Sequence, residues 1–162
     1  SSDQCLKISR FVSRAVGLTG MVGGQFLDIE ATGQKLTSQK LKSMHSLKTG
    51  ALLTASIVAG GLTASASQEE LACLEKFGTH IGLAFQVTDD ILDVEGTSKA
   101  LGKTPGKDAK ENKSTYVNLL GIENAKHVAL ESLEEALIAL NSFGESAESL
   151  RKIAQLIVKR EK

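Results

Sequence analysis

IGLAFQVTDDILD, residues 81–93, is the most informative stretch of the sequence, and it lies within a longer run of helical periodicity. The preceding SQEE, residues 67–70, has the pattern of a capping box, which starts a helix. The sequence therefore predicts an amphipathic helix that begins at this box, continues to about Val94 and ends at Gly96. Its apolar stripe consists of Leu71, Leu74, Phe77, Ile81 and Phe85.

The same periodicity covers the rest of the chain. Strand formers never gather into alternating runs, and the chain has one proline against fifteen glycines. We therefore predict an all-α fold, an antiparallel helix bundle around a central cavity with no sheet. The other predicted helices cover about residues 3–30, 38–63, 115–120, 123–142 and 147–159, with a lysine-rich surface loop over 97–114.

Composition excludes several classes of protein. A length of 162 residues suits one domain with a proper core. Nineteen basic residues balance nineteen acidic ones, so we expect no nucleic-acid partner. Residues 49–68 carry no charge, but they are rich in small and polar residues, which predicts a buried helix and no membrane span. Cys5 and Cys73 make no disulfide framework, so we expect a reducing compartment, the cytoplasm.

Three carboxylates form the first candidate site. Asp89, Asp90 and Asp93 fall within one helical turn near the carboxyl end of the helix, where neighbouring charges and the helix dipole both disfavour them. A solvated acidic face is the alternative, although such a face would place its charges nearer the amino end. The cluster predicts an oxygen-ligand site for Mg²⁺, which takes few carboxylates and keeps waters or a substrate phosphate.

Lysines follow the carboxylates and extend this interpretation. A lysine-rich loop is usually plain surface, but beside a carboxylate-held metal it suits a phosphate or diphosphate. Lys48-Thr49 adds a cation at the edge of the uncharged helix, while the three histidines show no metal spacing and are predicted to be ordinary surface or helix residues. Three further polar residues lie on apolar helices: Gln25, Asp28 and Gln86. Each could also be a core residue whose polar group is hydrogen-bonded within the protein. The loop lysines are Lys99, Lys103, Lys107, Lys110 and Lys113.

Four ordered motifs resemble one family. GLAFQVTDDILD, residues 82–93, resembles the second aspartate-rich motif of the trans-isoprenyl diphosphate synthases. GMVGGQ at 20–25, KTGAL at 48–52, and the loop from LGK at 101–103 to KSTY at 113–116 are similar to the same family in the same order. The bacterial farnesyl diphosphate synthases are the nearest resemblance, and it covers essentially the whole chain. It implies the isoprenoid synthase fold.

The resemblance also implies a reaction and its residues. The substrate is an allylic diphosphate, dimethylallyl or geranyl, and it is held by Mg²⁺, with three ions per complete site, or by Mn²⁺. This diphosphate ionises by losing its diphosphate group. Isopentenyl diphosphate then attacks the resulting carbocation. Asp89, Lys48 and Lys103 would be the catalytic residues, and Asp108 would hold a metal-bound water. The implied metal residues are Asp89, Asp90 and Asp93. The implied substrate-binding residues are Gln25, Lys48, Thr49, Phe85, Gln86, Lys103 and Lys113.

The family's first aspartate-rich motif and its isopentenyl diphosphate site have no counterpart in this chain. We therefore expect residues 1–162 to be the C-terminal part of a single all-helical polyprenyl synthase domain whose N-terminal half is absent. We expect them to be inactive alone and to form a homodimer in the complete protein. Two alternatives stay open: a non-catalytic or regulatory prenyltransferase-like subunit, and a terpene synthase. Lys48 and the lysines from 103 to 113 favour chain elongation over cyclisation.

Overall fold

The computed structural model describes residues 1–99 and 114–160, and these residues form helices and short turns, with no strand among them. The all-α prediction is confirmed. Three helices precede a π-helical turn at Ser46–Gly50: α1 (Ser2–Val16), α2 (Met21–Glu30) and α3 (Ser38–His45). After the turn come α4 (Ala51–Thr63), α5 (Gln68–Lys99), α6 (Tyr116–Leu120), α7 (Ile122–Ala139), a 3₁₀ segment (Asn141–Ala147) and α8 (Glu148–Lys159).

The start of α5 was predicted correctly and its end was not. The Ser67 N–H donates to the Glu70 carboxylate at 2.7 Å, and the Glu70 N–H donates to Ser67 Oγ at 3.2 Å, which is the reciprocal capping box. The Ser67 N–H, followed by the Ser67 hydroxyl, lowers the pKa of the Glu70 carboxyl. The helix continues through Gly96 to Lys99. A single glycine costs a helix only about 1 kcal/mol, so it does not end one without a capping partner.

The predicted helix over residues 3–30 is wrong, because the chain turns between α1 and α2. Gly17 leaves the helical region, with φ −75° and ψ −165°, and its N–H donates to the Ser13 and Arg14 carbonyls. The next helix begins at Met21. By contrast, the predicted helix over 38–63 is continuous in outline, with α3 and α4 joined by the π-helical turn that carries Lys48 and Thr49.

Helices α4 and α5 run antiparallel in very close contact. A Cβ atom on Gly82 would lie 2.9 Å from Gly50 Cα, and one on Gly78 would lie 2.7 Å from Thr54 Cα. From Gly78 to Gly82 the residue number rises along α5, while the facing residue changes from Thr54 to Gly50, so the two chains run in opposite directions. Because the backbones touch here, the π-helical turn is held against the next turn of α5, which carries Phe85 and Gln86.

Two apolar clusters form the core. The Phe77 cluster packs the first half of α5 against α4, α7 and α8, and its large members are Val58, Leu74, Phe77, Ile81, Leu133 and Leu140. The Tyr116 cluster packs the second half of α5 against α3, α6 and α7, and it contains Leu41, Met44, Val87, Ile91, Tyr116, Ala125 and Ala129. Within the described residues, no helix has the length and apolar character needed to cross a membrane.

Candidate functional site

A polar pocket opens where α2, the π-helical turn, α5 and the start of α6 meet. Its volume is about 170 Å³. Charged and hydrogen-bonding side chains surround it, in contrast to the apolar clusters on either side. The polar residues that line it are Asp28, Thr32, His45, Lys48, Gln86, Asp90, Ser114 and Thr115.

Lys48 and Asp28 form an ion pair at this pocket. Lys48 Nζ lies 2.8 Å from Asp28 Oδ2, and the Asp28 side chain is only 15% exposed. Gly24, one turn before Asp28 on the same face of α2, permits the approach, because a Cβ there would lie 2.1 Å from the Lys48 backbone N. The glycine-rich motif of α2 thus positions a partner for the predicted substrate lysine. Asp28 was recognised from the sequence only as a polar group on an apolar helix.

Thr49 and Gln86, both predicted to be substrate-binding residues, are in direct contact. The Thr49 hydroxyl donates to Gln86 Oε1 at 3.0 Å. Because Gln86 is one turn before Asp89 and Asp90, this bond ties the lysine-bearing turn to the acidic part of α5. The bond also places the Gln86 carbonyl oxygen, rather than its NH₂ group, toward Thr49.

The three aspartates have different surroundings. Asp89 pairs with the Arg160 guanidinium, whose Cζ lies 4.5 Å over the Phe85 ring. Asp90 is only 6% exposed, and its Oδ2 accepts the Tyr116 backbone N–H at 2.8 Å. Asp93 is partly exposed, one turn after Asp89 on the same helix. The three aspartates therefore lie on one helix, as predicted, but Asp90 is buried whereas Asp89 and Asp93 are partly exposed.

These carboxylates carry the oxygen donors that Mg²⁺ prefers. In the described parts of the chain, no group of three or more His, Cys, Asp or Glu side chains is arranged to hold a metal ion. Mg²⁺ is usually bound by one or two carboxylates, with waters and substrate phosphates completing its coordination. Asp89 and Asp93 are two carboxylates at i,i+4 spacing on α5, and Asp89 is paired with the Arg160 guanidinium.

His45 is a member of the site that sequence reasoning missed. It is buried rather than on the surface, and burial, followed by the nearby Lys48 charge, lowers its pKa to about 4. Its ring meets the Tyr116 ring edge-on, with centroids 5.7 Å apart and planes at 63°. Burial, together with the Asp90 charge, raises the pKa of Tyr116 to about 12. The available signal was position, since His45 follows the buried Leu41 and Met44 on α3.

Two predicted substrate-binding residues, Gln25 and Phe85, do not line the polar pocket. Gln25 is on α2 beside Gly24, but its side chain is exposed and is not among those lining the polar pocket. Phe85 lies beneath the Arg160 guanidinium. Outside the described residues are Lys103, Lys107, Asp108, Lys110 and Lys113.

Comparison with known proteins identifies the family. The polyprenyl synthetase profile matches residues 2–157, and the chain belongs to this family. It is 43% identical over 160 residues to a dimethylallyltranstransferase of Fischerella ambigua, covering 98% of this chain and 46% of that protein. It is 37% identical over 161 residues to the farnesyl diphosphate synthase of Bacillus subtilis, covering 99% of this chain and 54% of that protein.

A solved structure gives the same result. The geranyltransferase of Helicobacter pylori, complexed with magnesium and isoprenyl diphosphate, superposes with a TM-score of 0.78 at 31% identity, covering 98% of this chain and 52% of that one. The chain therefore spans about half the length of the relatives it matches.

Proposed function

We propose that the protein is a prenyltransferase that condenses an allylic diphosphate, dimethylallyl or geranyl, with isopentenyl diphosphate, with farnesyl diphosphate as its product. The main observation behind this proposal is that the segment carrying Lys48 contacts α5, the helix that carries the three aspartates, at one polar pocket. Lys48 and Gln86 line one polar pocket, and Asp89 lies one turn beyond Gln86. Membership of the polyprenyl synthetase family supports the reaction class. The greater length of the relatives supports residues 1–162 acting as one part of a single all-helical domain.

In this proposal Lys48 binds the allylic diphosphate. Its ammonium group stabilises the negative charge that grows on the leaving diphosphate as the carbon–oxygen bond breaks. Asp28 holds the ammonium at the pocket wall before substrate arrives. The Thr49–Gln86 hydrogen bond keeps the Gln86 amide oriented as a donor to the same ligand. We propose the same diphosphate-binding role for Lys103 and Lys113, a substrate contact for Gln25, and a wall of the prenyl pocket for Phe85.

Asp89 and Asp93 would hold the metal ion, Mg²⁺ or Mn²⁺. When bound, the ion supplies positive charge that neutralises the diphosphate leaving group. The contribution of the two side chains is to provide hard oxygen donors at i,i+4 spacing on one face of α5. In this proposal Arg160, which pairs with Asp89, is a second positive group that helps to retain the diphosphate.

We also propose that the protein is a homodimer and that it acts in the cytoplasm. Apolar side chains stand exposed on and between α1 and α2, including Leu6, Leu18 and Phe26, and such a surface is typical of a covered interface. Both cysteines are free thiols, which fits a reducing compartment.

A pair of lysine variants tests the function. The protein is expressed from its complete coding sequence and incubated with isopentenyl diphosphate, geranyl diphosphate and Mg²⁺, and the products are separated by chain length. We expect a farnesyl product, with Lys48→Gln lowering turnover about 100-fold, since it removes a charged group from the leaving diphosphate. Lys7→Gln, which alters an exposed ion pair with Asp3, is the control and should leave turnover unchanged.

Two outcomes would contradict this proposal. A wild-type protein that binds both diphosphates without forming product would instead be a regulatory subunit. Release of a hydrocarbon from geranyl or farnesyl diphosphate without consumption of isopentenyl diphosphate would make it a terpene synthase.

A further inference from the structure

Asp90 is the carboxylate that differs most from its neighbours on α5. Asp89 is partly exposed beside Arg160, whereas Asp90 is buried and directed at the start of α6. Its Oδ2 accepts the backbone N–H of Tyr116 at 2.8 Å. A buried carboxylate that accepts a backbone N–H holds that backbone in place, because the donor has no water to turn to.

Tyr116 connects Asp90 to the segment that carries Lys48. Its backbone is held by Asp90, and its ring packs edge-on against the His45 ring with centroids 5.7 Å apart. His45 immediately precedes the π-helical turn and lies three residues before Lys48. These contacts form a buried Asp90–Tyr116–His45 link between the acidic helix and the segment that carries Lys48.

The residues around Tyr116 are anchored independently of this link. Ser114 Oγ accepts the Leu36 N–H at 2.9 Å and donates to the Gln34 carbonyl at 3.0 Å, which joins the start of α6 to the connection between α2 and α3. Thr115 caps α6 by accepting the Asn118 N–H at 3.1 Å. The position of Tyr116 is therefore set from several sides, so Tyr116 is a fixed point against which both Asp90 and His45 are held.

We propose that Asp90 is a positioning residue that sets the distance between Asp89 and Lys48 through the Asp90–Tyr116–His45 link, and not a metal ligand. The inference deepens the proposed function and rests on it. Asp89 and Lys48 act on the same diphosphate from different helices, so their separation must be fixed while substrates enter and leave. A displacement of about 1 Å in such a pair lowers turnover by about 100-fold.

Replacement of Asp90 by asparagine and by alanine separates the two roles. Asparagine keeps an oxygen that accepts the Tyr116 N–H but has no charge for a metal, whereas alanine loses both. We expect Asp90→Ala to lower kcat about 10- to 100-fold, and Asp90→Asn to restore most of it. The Mg²⁺ concentration for half-maximal rate should stay within about twofold of wild type in both, while Asp89→Asn should raise it at least about tenfold.

Two further measurements keep the test decisive. Mn²⁺ binding followed by electron paramagnetic resonance, in the presence of a non-reacting diphosphate, reports metal affinity without turnover. Tyr116→Leu breaks the link at its ring without altering any carboxylate, and it should reduce kcat while leaving Mn²⁺ affinity unchanged. Should Asp90→Ala fail to fold, Asp90→Asn and Tyr116→Leu carry the test.

The proposal is overturned if Asp90→Asn weakens Mn²⁺ binding as much as Asp89→Asn does, or if Tyr116→Leu leaves kcat unchanged. A wild-type protein that binds Mn²⁺ and diphosphate but forms no prenyl product would overturn the proposed function instead. In that case the relative Mn²⁺ affinities of the Asp89 and Asp90 variants still decide whether Asp90 is a ligand.

Discussion

The two halves of α5 are packed in different ways. The first half, through Leu74, Phe77 and Ile81, contributes to the purely apolar Phe77 cluster. The second half lies beside buried polar groups. Among the side chains of residues 1–96 and 114–160, the buried atoms that lack a hydrogen-bond partner are His45 Nδ1, Thr88 Oγ1, Tyr116 Oη and Arg160 Nε, all near the second half.

The difference indicates a division of function along one helix. A buried polar atom without a partner costs about 1–3 kcal/mol, so several of them together destabilise the end of the bundle where they occur. Elsewhere such groups are satisfied, as for Ser132, whose hydroxyl donates to the Val128 carbonyl at 2.7 Å. We infer that the first half of α5 supplies stability, and that the second half retains polar groups because it carries the candidate site.

The largest effect on stability is expected from a substitution in the first half of α5. Phe77 is 1% exposed and is among the largest fully buried side chains. Phe77→Ala should lower the free energy of unfolding by about 3–5 kcal/mol, because it leaves a cavity in the core. Urea unfolding measures this loss. Ile138→Ala, at a residue that is 58% exposed, is the control and should change stability far less.

A smaller effect is expected where α2 touches the lysine-bearing turn. A Cβ at Gly24 would overlap the Lys48 backbone, so Gly24→Ala must separate α2 from the π-helical turn. We expect a loss of about 1–3 kcal/mol in unfolding free energy, together with a raised KM for the allylic diphosphate, because Asp28 moves away from Lys48. Gly60→Ala is the matched control, since nothing lies within 4 Å of its Cβ position and alanine favours a helix. Equal stability of the two variants would argue against this contact.

The pH dependence of stability sharpens the comparison for the second half. The pKa of His45 is about 4 in the folded protein, against an ordinary value of 6.5. Between these values the unfolded chain binds a proton that the folded protein does not, so stability falls as pH decreases from about 6.5 toward 4. From pH 7 to pH 5 the loss due to His45 should be about 2 kcal/mol.

Unfolding of wild type and His45→Asn at the two pH values measures this contribution. The variant should show a smaller loss, and His127→Asn, at an exposed side chain, should behave as wild type. The same pH dependence in wild type and His45→Asn would mean that His45 is accessible to protons in the folded state.

Local sequence signals predicted the parts of the fold that depend on near neighbours. The capping box at Ser67 and Glu70 uses groups three residues apart, so its pattern could be recognised without the fold. The turn after Val16 was missed because the glycines there were taken only as sites of close packing. That interpretation is correct for Gly24, which contacts the Lys48 backbone, but Gly17 ends a helix.

Long-range pairing limited prediction of the site. The spacing of Asp89, Asp90 and Asp93 indicated a candidate site on α5, but their different surroundings depend on Tyr116 and Arg160, which are distant in sequence. Asp28 and Lys48 are twenty residues apart on different helical segments, and no helical period relates them. Local patterns therefore identified many of the residue types, while the partners of these residues required the packed structure.

The division of α5 into a stabilising half and a functional half is tested most directly by measuring two quantities on two variants. The unfolding free energy and the kcat of the folded fraction are determined for Phe77→Ala and Asp89→Asn in the protein expressed from its complete coding sequence. We predict that Phe77→Ala loses about 3–5 kcal/mol of stability while its kcat stays near wild type. Asp89→Asn should lose at least about 100-fold in kcat while its stability changes by about 1 kcal/mol or less, because its ion pair is partly exposed. A kcat near wild type for Asp89→Asn, or equal losses of stability in the two variants, would contradict the account.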